Sequence, residues 1–490
     1  METNAPPPFN KQCPDMIIIK SSDGVQFCVN TFILGLVSPL FRDASTLPPP
    51  AGPENTHSDL QILDATEDSQ TLERLLCLIY PGESPIFTSI AEVGPVLKAA
   101  AKYQIVHIVA QLRRGLTVFD DALRLYAIAC SPELQFEEEA RDATLEWCED
   151  PRATVQDYVP DMDAITAAQY FRLLEFHSMH TVGRDISEPF TFCNPPPNTA
   201  AGDGMQSDFI VPSSFAHPSI SSDTVILRSY DYHDFYVNKV VIELASETLA
   251  QRLVHTSPSD SISDDGHRII ALPLDGRTLL RLLQLCYPNS DPATESWDTL
   301  TADLRLAHEY QITGAKGTAK RMLMEHVETH PLQVYLLAAH YGWPEESAHA
   351  GKYAMLLSAD SYVPEMECVS ARIYRRFLLH RQAWRSAVAE VASELLGGLS
   401  HRMEKPYGSI FWSDLDVRHR PEYRLHVHAL LLGTNMLRRA AGAGGGGGVR
   451  SRITEVLFAA AVSPARDSAI DENRMQRVLR RILEKAPDEL

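Results

Sequence analysis

At 490 residues the chain exceeds what one hydrophobic core supports and has room for about two to four domains. Apolar residues make up 44% and charged residues 22%, an ordinary globular balance, while 32 prolines and 25 glycines leave material for connectors. A formal net charge of −20 excludes a chain that grips nucleic acid through a general excess of Lys and Arg, because phosphate neutralisation needs clustered positive charge.

In chain order, residues 1–14 read as a disordered N-terminus; the first ten are polar and proline-rich, without the basic start and apolar core of a secretory signal. Residues 15–116 read as a first α+β module. It opens on strands at 16–19 and 25–30, joined by Ser21-Ser22-Asp23-Gly24, where glycine accepts the positive φ of a tight hairpin turn. Two short helices follow, with Ser38 placed as an N-cap, and then a third strand at 60–63. Helices over about 69–80, 88–104 and 107–116 close the module, giving a small three-stranded sheet with about five helices.

Residues 117–183 carry a helical extension rich in Ala, Leu and Glu. Its Glu137, Glu138 and Glu139 fall in a first helical turn and read as a solvated cap that suits the helix dipole. Residues 184–220, with Pro195-Pro196-Pro197 and many Ser, Asn and Gly, read as a flexible linker. A second, diverged module spans 221–328, with strands at 224–228, 235–237 and 268–272 and Ser246 as the N-cap. Its turn, Tyr230-Asp231-Tyr232-His233, lacks glycine and is expected to differ in type. A second helical extension covers 329–399, and 400–490 reads as partly helical with a glycine-rich spacer at 442–448.

Self-comparison supports this order. Tyr80-Pro81 recurs as Tyr287-Pro288, and Tyr103-Gln104-Ile105 as Tyr310-Gln311-Ile312, both 207 positions on. Between them, Ile90, Val93, Leu97 and Ala100 make one helix face, matched by Trp297, Leu300, Leu304 and Ala307. Upstream the offset is 208, where Phe27-Cys28-Val29-Asn30 meets Phe235-Tyr236-Val237-Asn238 and Leu36 meets Leu244. Downstream it is 204, where Tyr158-Val159-Pro160-Asp161-Met162 meets Tyr362-Val363-Pro364-Glu365-Met366. A drifting offset is the mark of loop insertions and deletions after an old duplication.

At Ser21-Ser22-Asp23-Gly24-Val25-Gln26-Phe27, Ser38-Pro39-Leu40-Phe41-Arg42-Asp43 and Leu75-Leu76-Cys77-Leu78-Ile79-Tyr80-Pro81, the chain resembles the BTB/POZ domains abundant in fungal proteins. The likeness covers 15–180, including a helical tail at Ile165 to His177, and recurs more faintly over 222–382, clearest at Leu282 to Pro288. It implies two tandem BTB/POZ-like modules that dimerise or pair within the chain and recruit other proteins. For the family this extends in places to cullin-type ubiquitin-ligase scaffolds, as substrate adaptors, or to transcriptional co-regulation without a DNA-binding domain. Asn30 and Asn238 stand where the family usually has His, and Leu47-Pro48-Pro49-Pro50 lacks the acid that cullin-binding members carry.

No catalytic, cofactor or metal site is expected, and no partner interface is assigned to particular residues. The glycines at 442–448 lack the Gly-Lys-Ser/Thr of a phosphate loop. His177 and His180 supply two of the three or four ligands that zinc demands, and His419, His426 and His428 have no cysteine nearby, so all five read as surface or packed histidines. His308-Glu309-Tyr310-Gln311-Ile312 supplies isoleucine where a zinc protease needs its second histidine. Eight scattered cysteines without a C-x-x-C read as buried thiols of a reducing compartment. With no apolar run of about 20 residues for a membrane span, the expectation is a non-catalytic intracellular protein of cytoplasm or nucleus.

Overall fold

The computed structural model describes residues 3–11, 16–44, 62–82, 84–154, 156–183, 190–195, 209–216, 223–254, 261–263, 266–287, 296–355 and 361–395. They fall into two compact units. Among the described residues, the first holds those within Met1–Pro196 and Tyr362–Arg375, and the second those within Pro197–Ser361 and Arg376–Lys405. The region after 395, with the histidines at 419, 426 and 428 and the spacer at 442–448, lies outside the described residues.

In the first unit β1 (Thr3–Asn4), β2 (Met16–Lys20), β3 (Val25–Asn30) and β4 (Ile62–Asp64) form one sheet in the order β1-β3-β2-β4. The hairpin β2-β3 is antiparallel with Ile17 opposite Val29 and Ile19 opposite Phe27, and β4 runs parallel to β2. Five helices complete the module: α1 (Thr31–Val37), α2 (Pro39–Ala44), α3 (Ser69–Ile79), α4 (Ile90–Lys102) and α5 (Val106–Arg113). The stripe Ile90, Val93, Leu97 and Ala100 is buried, as its helical spacing requires. Three further helices, α6 (Ala122–Ala129), α7 (Glu137–Glu149) and α8 (Ala167–Thr181), form the extension.

The sheet has four strands where three were expected, because the N-terminal residues are not a free tail. Thr3–Asn4 pairs parallel with β3, and the Cys28 amide donates to the Phe9 carbonyl at 2.8 Å. Phe9 is 2% exposed and meets Tyr80 edge-on, ring centroids 5.2 Å apart. Burying a phenylalanine is worth roughly 1.5–3 kcal/mol, enough to fix a short tail that composition marks as loose.

The second unit has β5 (Thr224–Arg228), β6 (Asp234–Asn238), β7 (Ser261–Ile262) and β8 (Arg268–Ala271), in the sheet order β6-β5-β8-β7. Around it lie α9 (Lys239–Ala245), α10 (Glu247–Val254), α11 (Gly276–Cys286), α12 (Trp297–Glu309), α13 (Thr313–Glu325), α14 (Pro331–His340) and α15 (Pro344–Ala354). The last described helix, α16 (Ala371–Leu395), begins in the return segment of the first unit and continues into the second. Phe235, Ile242, Leu279, Leu282 and Ile312 centre the core.

The recurring sequence marks do the same structural work in both units. The hydroxyl of Tyr80 accepts from the Asn30 amide at 2.7 Å, and that of Tyr287 from the Asn238 amide at 3.0 Å, tying the end of a helix to the end of a strand. Gln104 and Gln311 take left-handed φ of 58° and 51°, so that Ile105 and Ile312 close their helices by bonds to Ala100 and Ala307, both 2.8 Å. Ser38 and Ser246 cap the second short helix as expected, accepting from Phe41 and Leu249 amides. Each serine hydroxyl also donates to the carbonyl of its tyrosine, Tyr103 or Tyr310.

Two expectations are corrected in the second unit. Its hairpin turn is of the same type as the first: Ser229 amide to His233 carbonyl at 3.0 Å repeats Ser21 to Val25 at 2.9 Å, and Tyr232 takes φ 63° where Gly24 takes 85°. A tyrosine therefore occupies the glycine position, held by the Ser229 hydroxyl, which accepts from His233 as Ser21 does from Val25. The end of the supposed flexible linker is also docked. The Phe215 carbonyl accepts from the Tyr236 amide and its ring packs 5.3 Å from Tyr287, just as Phe9 does in the first unit. Phe209 lies against Gly276 so closely that a Cβ there would fall 2.8 Å from its ring.

Candidate functional site

The N-terminal module presents an apolar stripe. Asn30 turns the chain from β3 into α1 by accepting from the Phe32 and Ile33 amides at 3.0 and 3.2 Å, which fixes the helix's rotation. Leu34 then points inward with no exposure, while Phe32 and Leu36, four residues apart, stand 70% and 69% exposed. Leu40 on α2 is exposed as well. In the second unit Asn238 caps α9 through Val240 and Val241, Ile242 is buried, and Val240 and Leu244 face outward. Single exposed apolar residues are common on any surface, but a row at one helical spacing, repeated at equivalent positions, is the pattern of a contact surface.

A second focus is polar and centres on Arg172 of α8, which is 4% exposed. Its Nε donates to the Phe192 carbonyl at 2.9 Å and its Nη1 to Glu367 at 2.5 Å. Gln169, one turn earlier, donates to the carbonyls of Cys130 at 2.8 Å and Cys193 at 3.0 Å, while capping its own helix with Thr166. Glu137 accepts from the Phe192 and Cys193 amides at 2.5 and 2.9 Å. Phe192 is wholly buried among Tyr126, Phe176 and Phe190. Residues 192 and 193 are thus bolted to the extension, correcting the expectation that the chain is flexible throughout 184–220.

Alongside lies a paired segment. Thr166 and Ser370 form an antiparallel bridge, the Ala167 amide donating to Val369 at 2.6 Å and the Ala371 amide to Ile165 at 2.9 Å. The Tyr158 hydroxyl donates to Asp163 at 2.6 Å and the Tyr362 hydroxyl to Glu367 at 3.1 Å. Burial, with Glu367 beside it, pushes the Tyr362 phenol up to about 12.

Of the three acids at the start of α7, only Glu138 is solvated, at 89% side-chain exposure. Glu139 is ion-paired with Arg113. Glu137 holds the linker, so the solvated-cap expectation fails for two of the three. His177 lies against Trp147, ring centroids 4.7 Å apart, and burial followed by the charge of His180 lowers its pKa. His308 packs on Tyr341. Among the described residues no group of three or more His, Cys, Asp or Glu could hold a metal ion, and no helix is long and apolar enough to cross a membrane. Cys28, Cys130, Cys193 and Cys286 are buried, Cys77 and Cys148 are intermediate and Cys368 is exposed, all as free thiols. Cys13 lies outside the described residues.

The family model of the BTB/POZ domain matches residues 9–118. The match opens at the buried Phe9 and ends just beyond α5, so it covers β2 to β4, α1 to α5 and the apolar stripe, with β1 lying before it. This part of the chain is a BTB/POZ domain, a protein-protein interaction module. No curated protein matches the chain.

Proposed function

We propose that the chain is a non-catalytic scaffold or adaptor that works through two BTB-type modules, the first pairing with a second copy of the chain through the stripe Phe32, Leu36 and Leu40. The observation that carries this reading is the pair of large apolar side chains, 70% and 69% exposed, on a helix whose inward leucine is fully buried. Such a stripe is self-complementary about a two-fold axis, the usual symmetry of homodimers. Covering each side chain would contribute roughly 1.5–3 kcal/mol before the entropic cost of association.

The second unit is a diverged copy of the same module. Its element order, its Asn238 cap, its Tyr287 hydroxyl contact and its Gln311 helix end support that reading. Val240 and Leu244 give it a related stripe of smaller side chains, suited to a different partner protein. The bridge between Thr166 and Ser370 supports pairing of the two extensions within one chain, alongside pairing between chains.

Two differently tagged full-length copies test the proposal. Mixed and captured through one tag, they are expected to co-purify, and Phe32→Asp with Leu36→Asp is expected to abolish this while the circular dichroism stays unchanged. Co-purification that is indifferent to both substitutions would place the contact elsewhere and sink the reading.

A further inference from the structure

The segment Tyr362–Arg375 is held in a groove of the first unit by residues that stand in positional register with it. Thr166 and Ser370 are 204 positions apart, as are Tyr170 and Tyr374, and Tyr158 and Tyr362. Each residue of these first two pairs meets its own equivalent: Thr166 bridges Ser370, and the rings of Tyr170 and Tyr374 lie 6.3 Å apart at 75°. The two backbone bonds are also exchanged symmetrically, since Ala167 donates to Val369 and Ala371, 204 positions after Ala167, donates to Ile165. This is the arrangement of an isologous interface, in which the same patch is used twice about a two-fold axis, built here from one chain.

Specific chemistry holds the segment. Val369, Ala371 and Tyr374 are 1%, 0% and 2% exposed. The Ser370 hydroxyl donates to the Asp163 carbonyl at 2.9 Å, and the Arg375 guanidinium lies 3.9 Å over the Tyr158 ring. Glu367 is the carboxylate that neutralises the buried Arg172. A buried guanidinium stripped of its counter-ion is strongly destabilising, so an emptied groove selects a segment that carries an acid and, seven positions on, an aromatic residue. That description fits the same segment of another molecule.

We infer that the groove lined by Tyr158, Asp163, Ile165, Thr166, Tyr170 and Arg172 is a segment-binding site, filled in cis by Tyr362–Arg375 and able to take the same segment from a second copy of the chain. In the intact chain the tethered segment has an effective concentration on the order of millimolar, so exchange between chains is suppressed. Breaking the tethered contact in one molecule frees its groove for another. This second mode of association goes beyond the stripe on α1 and does not depend on it.

The test uses full-length chains carrying Phe32→Asp and Leu36→Asp, so that pairing through α1 plays no part. One chain adds Glu367→Arg and the other Arg172→Glu, each of which breaks its own clasp. Mixed, they restore an Arg172–Glu367 pair between molecules and are expected to form a heterodimer, at least about tenfold more tightly than either chain binds itself. A labelled peptide of residues 361–377 is expected to bind the Glu367→Arg chain about tenfold more tightly than it binds the chain with an intact clasp, and to lose that binding when it carries Arg at 367. Combining both substitutions in one chain should restore exchange protection of the Ala371 amide and abolish peptide binding; this doubly substituted chain and the peptide arm keep the test decisive if Arg172→Glu alone fails to fold. Absence of both heterodimer and peptide binding, or an Ala371 amide still protected in the Glu367→Arg chain, overturns the inference.

Discussion

The residue that departs furthest from its neighbours' rules is Tyr232, an 83% exposed tyrosine at φ 63° in a hairpin turn. A left-handed conformation costs an L-residue roughly 1–2 kcal/mol, so Tyr232→Gly is expected to raise stability by about 1 kcal/mol, read as a higher urea midpoint with unchanged slope. A lower midpoint would mean that the ring makes a contact worth more than the strain. Next to it, burial works to raise the Asp231 carboxyl, but the Ser229 hydroxyl, the Gly276 amide and the His233 ring hold it down at about 2, below the ordinary 3.8. A depressed folded-state value contributes stability that is present above the unfolded value and is lost as pH falls through the folded one. Asp231→Asn should therefore destabilise the chain above about pH 4 and converge with the parent only as pH falls through and below about 2; a gap in urea midpoint that does not narrow toward the acid end would contradict this. The turn was located from sequence but its type was not, because a dipeptide rule looks for glycine and cannot weigh a serine hydroxyl that holds a tyrosine in glycine's place.

At the scale of elements, strands and helices with regular apolar spacing were legible, and the segments between them were not. The hairpin β2-β3, the stripe of α4 and the capping serines follow from local pattern alone. Residues 190–193 look like linker because their proline- and serine-rich surroundings dominate the composition, while the groups that fix them, Glu137, Gln169 and Arg172, lie 20 or more positions away. The Pro-x-x-Phe that recurs at Pro6 to Phe9 and Pro212 to Phe215 was the available signal, and it extends the internal likeness upstream of the strands. Phe192→Ala is expected to cost about 3 kcal/mol in chemical denaturation, the range for emptying an aromatic site in a core. A free linker would instead give a change within about 0.5 kcal/mol, the ordinary surface value. A cost that small would return the segment to solvent.

For the whole molecule, sequence pattern exposed the family likeness of the first module and the order of elements in the second, and it left the contact surface unassigned. The reason is physical. Phe32, Leu34 and Leu36 look alike in a string of letters, and only the rotation fixed by the Asn30 cap decides that Leu34 is core and the other two are surface. The contact of residues 165–167 with residues 369–371 was equally hidden, since a recurring motif does not say that its two occurrences touch each other. On the proposed reading these features make an interaction protein with one stripe for a second copy and one clasp closed within the chain. Sedimentation velocity of the full-length protein at micromolar concentration is the most direct measurement of the central claim. A dimer that becomes a monomer on Phe32→Asp with Leu36→Asp, at unchanged helix content, is the predicted result; the same sedimentation coefficient for parent and variant would contradict it.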